Sequence, residues 1–148
     1  MTMAALPLPA TAILLDSPTT SSVVALEQLA KILSINAGVE SGHIYRALAA
    51  REAQGSTAIG SGVAVPHARL PLLDSPAVAA LRSQQPIDFS APNGVGVRIF
   101  VAVLVPESGT LEHLEILSRI AARLAQEDLR QRLLQVGDVD SFRSLLAT

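Results

Sequence analysis

Apolar residues recur at helical spacing after a polar start at Thr20-Ser21-Ser22: Val23, Leu26, Leu29, Ala30 and Leu33 fall on one face. That pattern predicts a helix to about Ile35, with one of the three hydroxyl residues as its N-cap. Asn36-Ala37-Gly38 then tolerates left-handed geometry and ends it. A second helix is predicted over 41–53, with Ile44, Ala47, Leu48 and Arg51 on adjacent turns. Strand signals are shorter. Residues 11–15 read as an edge strand, and 63–65 as a β-branched run that Pro66 stops because it has no N–H. A weak strand follows over 77–81, then an extended stretch over 86–89. Turns are marked by Pro71, Asp74, Ser75 and Pro76, and by Pro92-Asn93-Gly94. Residues 97–105 are apolar at both parities, the mark of a central strand covered on both faces. A helix over 111–126 is expected behind a Thr110 N-cap, burying Leu114, Leu117, Ala121 and Leu124. Two short helices complete the chain: 128–135, carrying Leu129 and Leu133 and broken by Gly137-Asp138, and one holding Phe142, Leu145 and Leu146. Helices at both ends around a few central strands predict an α/β fold of the α+β type, a three-layer α/β/α sandwich with a mixed central sheet. Residues 1–10 are expected to be a flexible N-terminus, and 11–148 a single domain.

Composition narrows the function. Hydrophobic residues make up 49% of the chain and aromatics only 3%, so the core is aliphatic. A net charge of −2 with one lysine, Lys31, gives no basic field for nucleic acid. No cysteine is present, which excludes disulfides and thiolate metal sites. The N-terminus has no positive n-region and is interrupted by prolines, unlike a signal peptide. The longest uncharged apolar run, 99–105, is far below the ~20 residues that span a bilayer. A cytoplasmic protein without membrane insertion is expected.

Candidate chemistry concentrates between Arg51 and Arg69. His67 shares this segment with Gly55, Gly60 and Gly62, with Ser56 and Thr57, and with the two arginines, and no carboxylate follows Glu52 in it. Glycines allow close approach and positive φ. The hydroxyls donate hydrogen bonds, and the guanidinium forks match phosphate oxygens. A neutral imidazole there can attack phosphorus. His113 falls in the first turn of its helix, where the dipole favours the neutral ring and free N–H groups attract anions. Paired with His67, it is a candidate phosphate ligand. His43 has no such companions. Two histidines so far apart do not make a zinc site, and no metal is expected. No Gly-x-x-x-x-Gly-Lys loop and no acidic pair for magnesium are present, so neither ATP nor another cofactor is expected.

The segments Arg51-Glu52, Gly55-Ser56-Thr57, Gly60, Gly62, Pro66-His67-Ala68-Arg69, Pro86-Ile87-Asp88-Phe89, Leu104-Val105-Pro106 and His113-Leu114 with Leu117 follow one another in a definite order. In this the chain resembles the IIA domain of the bacterial phosphoenolpyruvate phosphotransferase system, in its fructose/mannitol/nitrogen-regulatory class, over about residues 11–147. The resemblance implies an α/β/α sandwich and a phosphotransferase component. His67 would be the phosphorylated histidine, His113 would lie beside it and hydrogen-bond the phosphoryl group, and Arg51 would share the site. The donor would be the phosphohistidine of an HPr-type carrier. The recipients would be regulated target proteins or a IIB domain. Three positions depart from the family pattern: Ala58 for a frequent glycine, Ser61 for a frequent asparagine, and Arg98 for a frequent aspartate. The helix that opens at Ser21-Ser22 looks more like the nitrogen-regulatory branch. The alternatives are a sugar-specific IIA for fructose or mannitol and a non-catalytic interaction module of the same fold.

Overall fold

The computed structural model describes residues 6–109 and 111–147, without the side chain of Glu112. Leu6 and Leu8 are buried, so the segment from residue 6 packs on the core. The chain bends at Pro7, where Leu8 N donates to Leu6 O at 2.7 Å, and is extended at Pro9; its leucines join the core while Arg143 Nε donates to the Leu8 carbonyl at 2.6 Å. A 3-10 turn, Ala10–Ala12, leads into β1 (Ile13–Ser17). Helix α1 (Ser22–Ala37) follows, then α2 (Ser41–Gln54). Ser21 caps α1: its hydroxyl accepts from Val24 N at 3.2 Å, a cap worth about 1 kcal/mol. Gly38 closes α1 at φ 69°, as its sequence position suggested.

Four further strands follow: β2 (Val63–Ala64), β3 (His67–Leu70), β4 (Ala77–Ile87) and β5 (Val97–Pro106). The chain then enters α3 (Leu111–Leu124), α4 (Glu127–Gln135) and α5 (Val139–Ala147). The sheet is mixed, with β1, β4, β5 and β2 in spatial order and β3 also against β5. β4 and β5 are antiparallel; the other pairings are parallel. β5 is buried on both faces, as its unbroken apolar run requires. Helices α1 and α2 pack on each other against β4 and β3, while α3, α4 and α5 form a second packed series against β5 and β1. This is the expected α/β/α sandwich.

Two strand expectations need correction. The segment around His67 is not a loop after a strand: β2 and β3 lie along β5 in one register, broken only where Pro66 has no N–H to give. The pairing survives because the Pro66 carbonyl still accepts from Val103 N at 2.9 Å. The separate pieces at 77–81 and 86–89 are one strand, β4, interrupted between Arg82 and Ile87. Pro86 sits in that irregular stretch, where a missing ladder donor is tolerated.

α3 follows its expected stripe only in part, with Leu117 packed on the core. Ile120 and Leu124 are fully buried, whereas Leu114 is 37% exposed. The Thr110 cap lies outside the described residues. Arg82, which no sequence pattern singled out, is buried at 4% exposure. Its Nε and Nη2 donate to Asp16 Oδ1, and its Nη1 donates to the Leu133 and Val136 carbonyls. Asp16 adopts φ 58° within β1, and its carboxylate meets this guanidinium.

Candidate functional site

The site is built outward from a short hairpin. Ile59 N donates to Val63 O at 3.0 Å, and Val65 N donates to Thr57 O at 3.1 Å, so 57–59 pairs with 63–65. Gly60 and Gly62 make its turn at φ 84° and 82°, where a side chain would be strained. Gly55 differs: at φ 162° it is extended, which any residue adopts. The hairpin delivers the Val65 carbonyl to His67, whose Nδ1 lies 2.8 Å from it. A carbonyl oxygen only accepts, so Nδ1 carries the proton. In the neutral ring, Nε2 then holds the free lone pair.

The half-buried His67 ring faces a cleft of about 510 Å³. Helix α2 contributes Ala47, Ala50, Arg51 and Gln54, a stripe at i, i+3, i+4 and i+7. Strand β3 contributes His67, Ala68 and Arg69; strand alternation puts His67 and Arg69 on one face and buries Ala68 and Leu70. Val105 closes the floor, and Leu114 and Leu117 of α3 form the far wall. Two guanidinium groups and one carboxamide thus surround an imidazole, and no carboxylate lines the cleft among the described residues. Arg51 is steadied by donation from Nη1 to the Gly55 carbonyl at 2.9 Å.

The expected site residues divide. Arg51, His67 and Arg69 come together in the cleft. Ser56 and Thr57 do not: Ser56 Oγ donates to Phe89 O at 2.6 Å, and Thr57 Oγ1 donates to Glu52 Oε1 at 2.7 Å. Each hydroxyl has one proton, already used, so these residues shape the loop and do not offer donors to an anion. His113 is half-buried beside Gly109: a Cβ on that glycine would lie 3.7 Å from its Nδ1. It does not line the cleft, whereas its neighbour Leu114 does. Gln54 was not anticipated, although its position three residues after Arg51 on the same helix face was the available signal. Arg98 lies outside the cleft; its Nε donates to the Ser83 carbonyl at 3.0 Å, in the irregular stretch of β4. No group of three or more His, Asp and Glu side chains poised for a metal occurs among the described residues.

Residues 7–148 match the family model described as phosphoenolpyruvate-dependent sugar phosphotransferase system, EIIA 2. The chain belongs to this family. A protein named nitrogen regulatory protein, from Pseudomonas aeruginosa, is 41% identical over 81% of this chain and 79% of its own length. A fructose-like EIIA component from Escherichia coli is 34% identical over 82% of both chains. The crystal structure of nitrogen regulatory protein IIA-Ntr from Neisseria meningitidis superposes with a TM-score of 0.91 at 34% identity, covering 95% of this chain and 96% of that one. No helix among the described residues of this IIA chain is long and apolar enough to cross a membrane.

Proposed function

We propose that this IIA chain is a phosphoryl carrier that takes a phosphoryl group onto Nε2 of His67 from the phosphohistidine of an HPr-type protein. The observation that carries the reading is the Nδ1 to Val65 carbonyl bond inside a cleft lined by Arg51 and Arg69. The Nε2 lone pair forms the new N–P bond. The donor's N–P bond breaks, and its electron pair stays on the donor ring. No proton has to move on the acceptor side, because Nδ1–H remains on the Val65 carbonyl, which stabilises the charge gained by the ring. The protein's contribution is placement and charge. Arg51 and Arg69 neutralise the equatorial oxygens with fork geometry. With Ser56 and Thr57 engaged elsewhere, Gln54 is the neutral donor of the cleft. His113, one residue from the cleft wall, acts as a supporting residue of the same site.

We place the chain in the nitrogen-regulatory branch. Its support is the 41% identity to the Pseudomonas protein and the fit to IIA-Ntr. Addition of nearly two negative charges at His67 would change which partner surfaces the cleft face accepts. The sugar-specific reading, with transfer to a IIB domain, is favoured by the likeness to the fructose-like component. Arg98, the charge-reversed departure from the family pattern, lies outside the cleft and donates to the Ser83 carbonyl.

The test is incubation with phosphoenolpyruvate, enzyme I and HPr of each branch, followed by acid-labile phosphohistidine detection. Wild type should be labelled and His67→Ala should not. Pull-downs with wild type, His67→Ala and His67→Glu should recover different partners. Identical partners together with efficient transfer to a sugar IIB would assign the sugar branch. No labelling from any HPr would leave the interaction module.

A further inference from the structure

Glu52 is the one carboxylate in the segment that carries the site residues, and it does not line the cleft. Its two oxygens are both engaged at the same residue. Thr57 N donates to Oε2 at 2.8 Å, and Thr57 Oγ1 donates to Oε1 at 2.7 Å. Thr57 is buried at 7% exposure, so water does not readily replace this pair of bonds. The carbonyl of Thr57 in turn accepts from Val65 N at 3.1 Å. The carbonyl of Val65 then accepts from His67 Nδ1 at 2.8 Å. An unbroken series of hydrogen bonds therefore runs from the Glu52 carboxylate, through Thr57 and Val65, to the ring of His67.

We infer that Glu52 is a positioning residue that sets the tautomer of His67 from outside the cleft. This rests on the reading of His67 as the phosphoryl acceptor. Glu52 acts through Thr57 alone. Its charged oxygens make short charge-assisted bonds, which hold the buried threonine in one place. That fixes where the hairpin starts, and so where Val65 presents its two backbone groups. Pro66 adds stiffness, because the residue before a proline is confined to extended geometry. With the carbonyl fixed, the proton stays on Nδ1 and Nε2 stays nucleophilic. Without it, the ring shifts toward the Nε2–H tautomer, in which the attacking nitrogen is blocked by a proton.

The experiment is imidazole ¹⁵N NMR of His67, alongside single-turnover transfer from phosphorylated HPr, in wild type, Glu52→Ala, Glu52→Gln and Thr57→Val. Glu52→Ala should lose the Nδ1–H signature of His67. Its transfer rate should fall about 10- to 100-fold, the size expected for a misplaced reacting group, with little change in the donor concentration needed for half-saturation. Glu52→Gln should restore both readouts, since its amide oxygen can accept from Thr57 N and its NH₂ can donate to Thr57 Oγ1. A residue that served stability alone would change the melting temperature and leave the tautomer as it was. Thr57→Val loses one of the two bonds and should show a partial tautomer shift; it is read in place of Glu52→Ala should that variant fail to fold. A wild-type tautomer and rate in folded Glu52→Ala, or in Thr57→Val where it is the variant read, overturns the inference. A failure of the carrier reading is separable: wild type would then take no label from any HPr, while the tautomer shift in Glu52→Ala would still appear.

Discussion

Gln54 and Arg51 stand one helical turn apart, and the cleft receives both. Removing the carboxamide in Gln54→Ala should slow phosphoryl transfer several-fold, as loss of one neutral hydrogen bond of about 1 kcal/mol implies. Stability should hold within about 0.5 kcal/mol, because the residue is exposed at a helix end. Ser56→Ala should do the reverse. It releases the Phe89 carbonyl and the Ala58 N–H, so it should cost about 1–2 kcal/mol in denaturant melts. Transfer per folded molecule should then change little. A slow but fully stable Ser56→Ala would contradict this division of roles. At this scale His67, Arg51 and Arg69 were legible because their side chains have few structural uses at such spacing. The hydroxyls misled for a physical reason. A serine or threonine takes whatever acceptor the fold brings near, and here those are the Phe89 carbonyl and the Glu52 carboxylate.

Among the elements, strands beside prolines were the hardest to foresee. β3 is four residues long and sits between Pro66 and Pro71, so nothing local marks it as a strand; its ladder is supplied by β5. Through its second half, β4 carries the polar run Arg82, Ser83, Gln84 and Gln85, which shows no strand pattern, and Arg98 ties the Ser83 carbonyl there. The stripe of α3 held at Leu124 and in part at Leu117, which packs on the core and also walls the cleft, but it missed the buried Ile120 and included the exposed Leu114. Asp138, expected only to break the preceding helix, also begins α5, accepting from Ser141 N at 2.9 Å and from Ser141 Oγ at 2.8 Å. The backbone N–H of Ser141, and then its hydroxyl, hold the carboxyl below its ordinary value. A depressed carboxyl stabilises the fold above its unfolded value, and that contribution is lost as pH falls through the lower folded value. Wild type should therefore melt above Asp138→Ala at pH 6, and the gap should close as the pH drops below about 3.8. A gap unchanged by acid would show that the charge on this cap is irrelevant.

For the whole molecule, Arg82 joins β4 to β1 through Asp16 and to the end of α4 through the Leu133 and Val136 carbonyls. Arg82→Met should destabilise by about 2–3 kcal/mol in denaturant titration, because buried acceptors lose their donor. Asp16→Asn should cost less than about 1 kcal/mol, since the Asp16 side chain is 54% exposed. Equal costs would place the value of the network in the ion pair and not in the carbonyls. Its distance in sequence from both partners is why no local pattern revealed it. The larger architecture serves the cleft. Two sides of the sandwich meet where α2, β3 and α3 contribute their walls, and the central β5 supplies Val105 beneath. One atom is decisive, the Nε2 of His67, whose lone pair the Nδ1 bond to the Val65 carbonyl leaves free. ³¹P–¹⁵N correlation on protein phosphorylated through HPr reads that atom directly. The phosphoryl group is expected on Nε2 of His67, with Nδ1 still bonded to hydrogen. A phosphoryl group on Nδ1, or on any other residue, would contradict it.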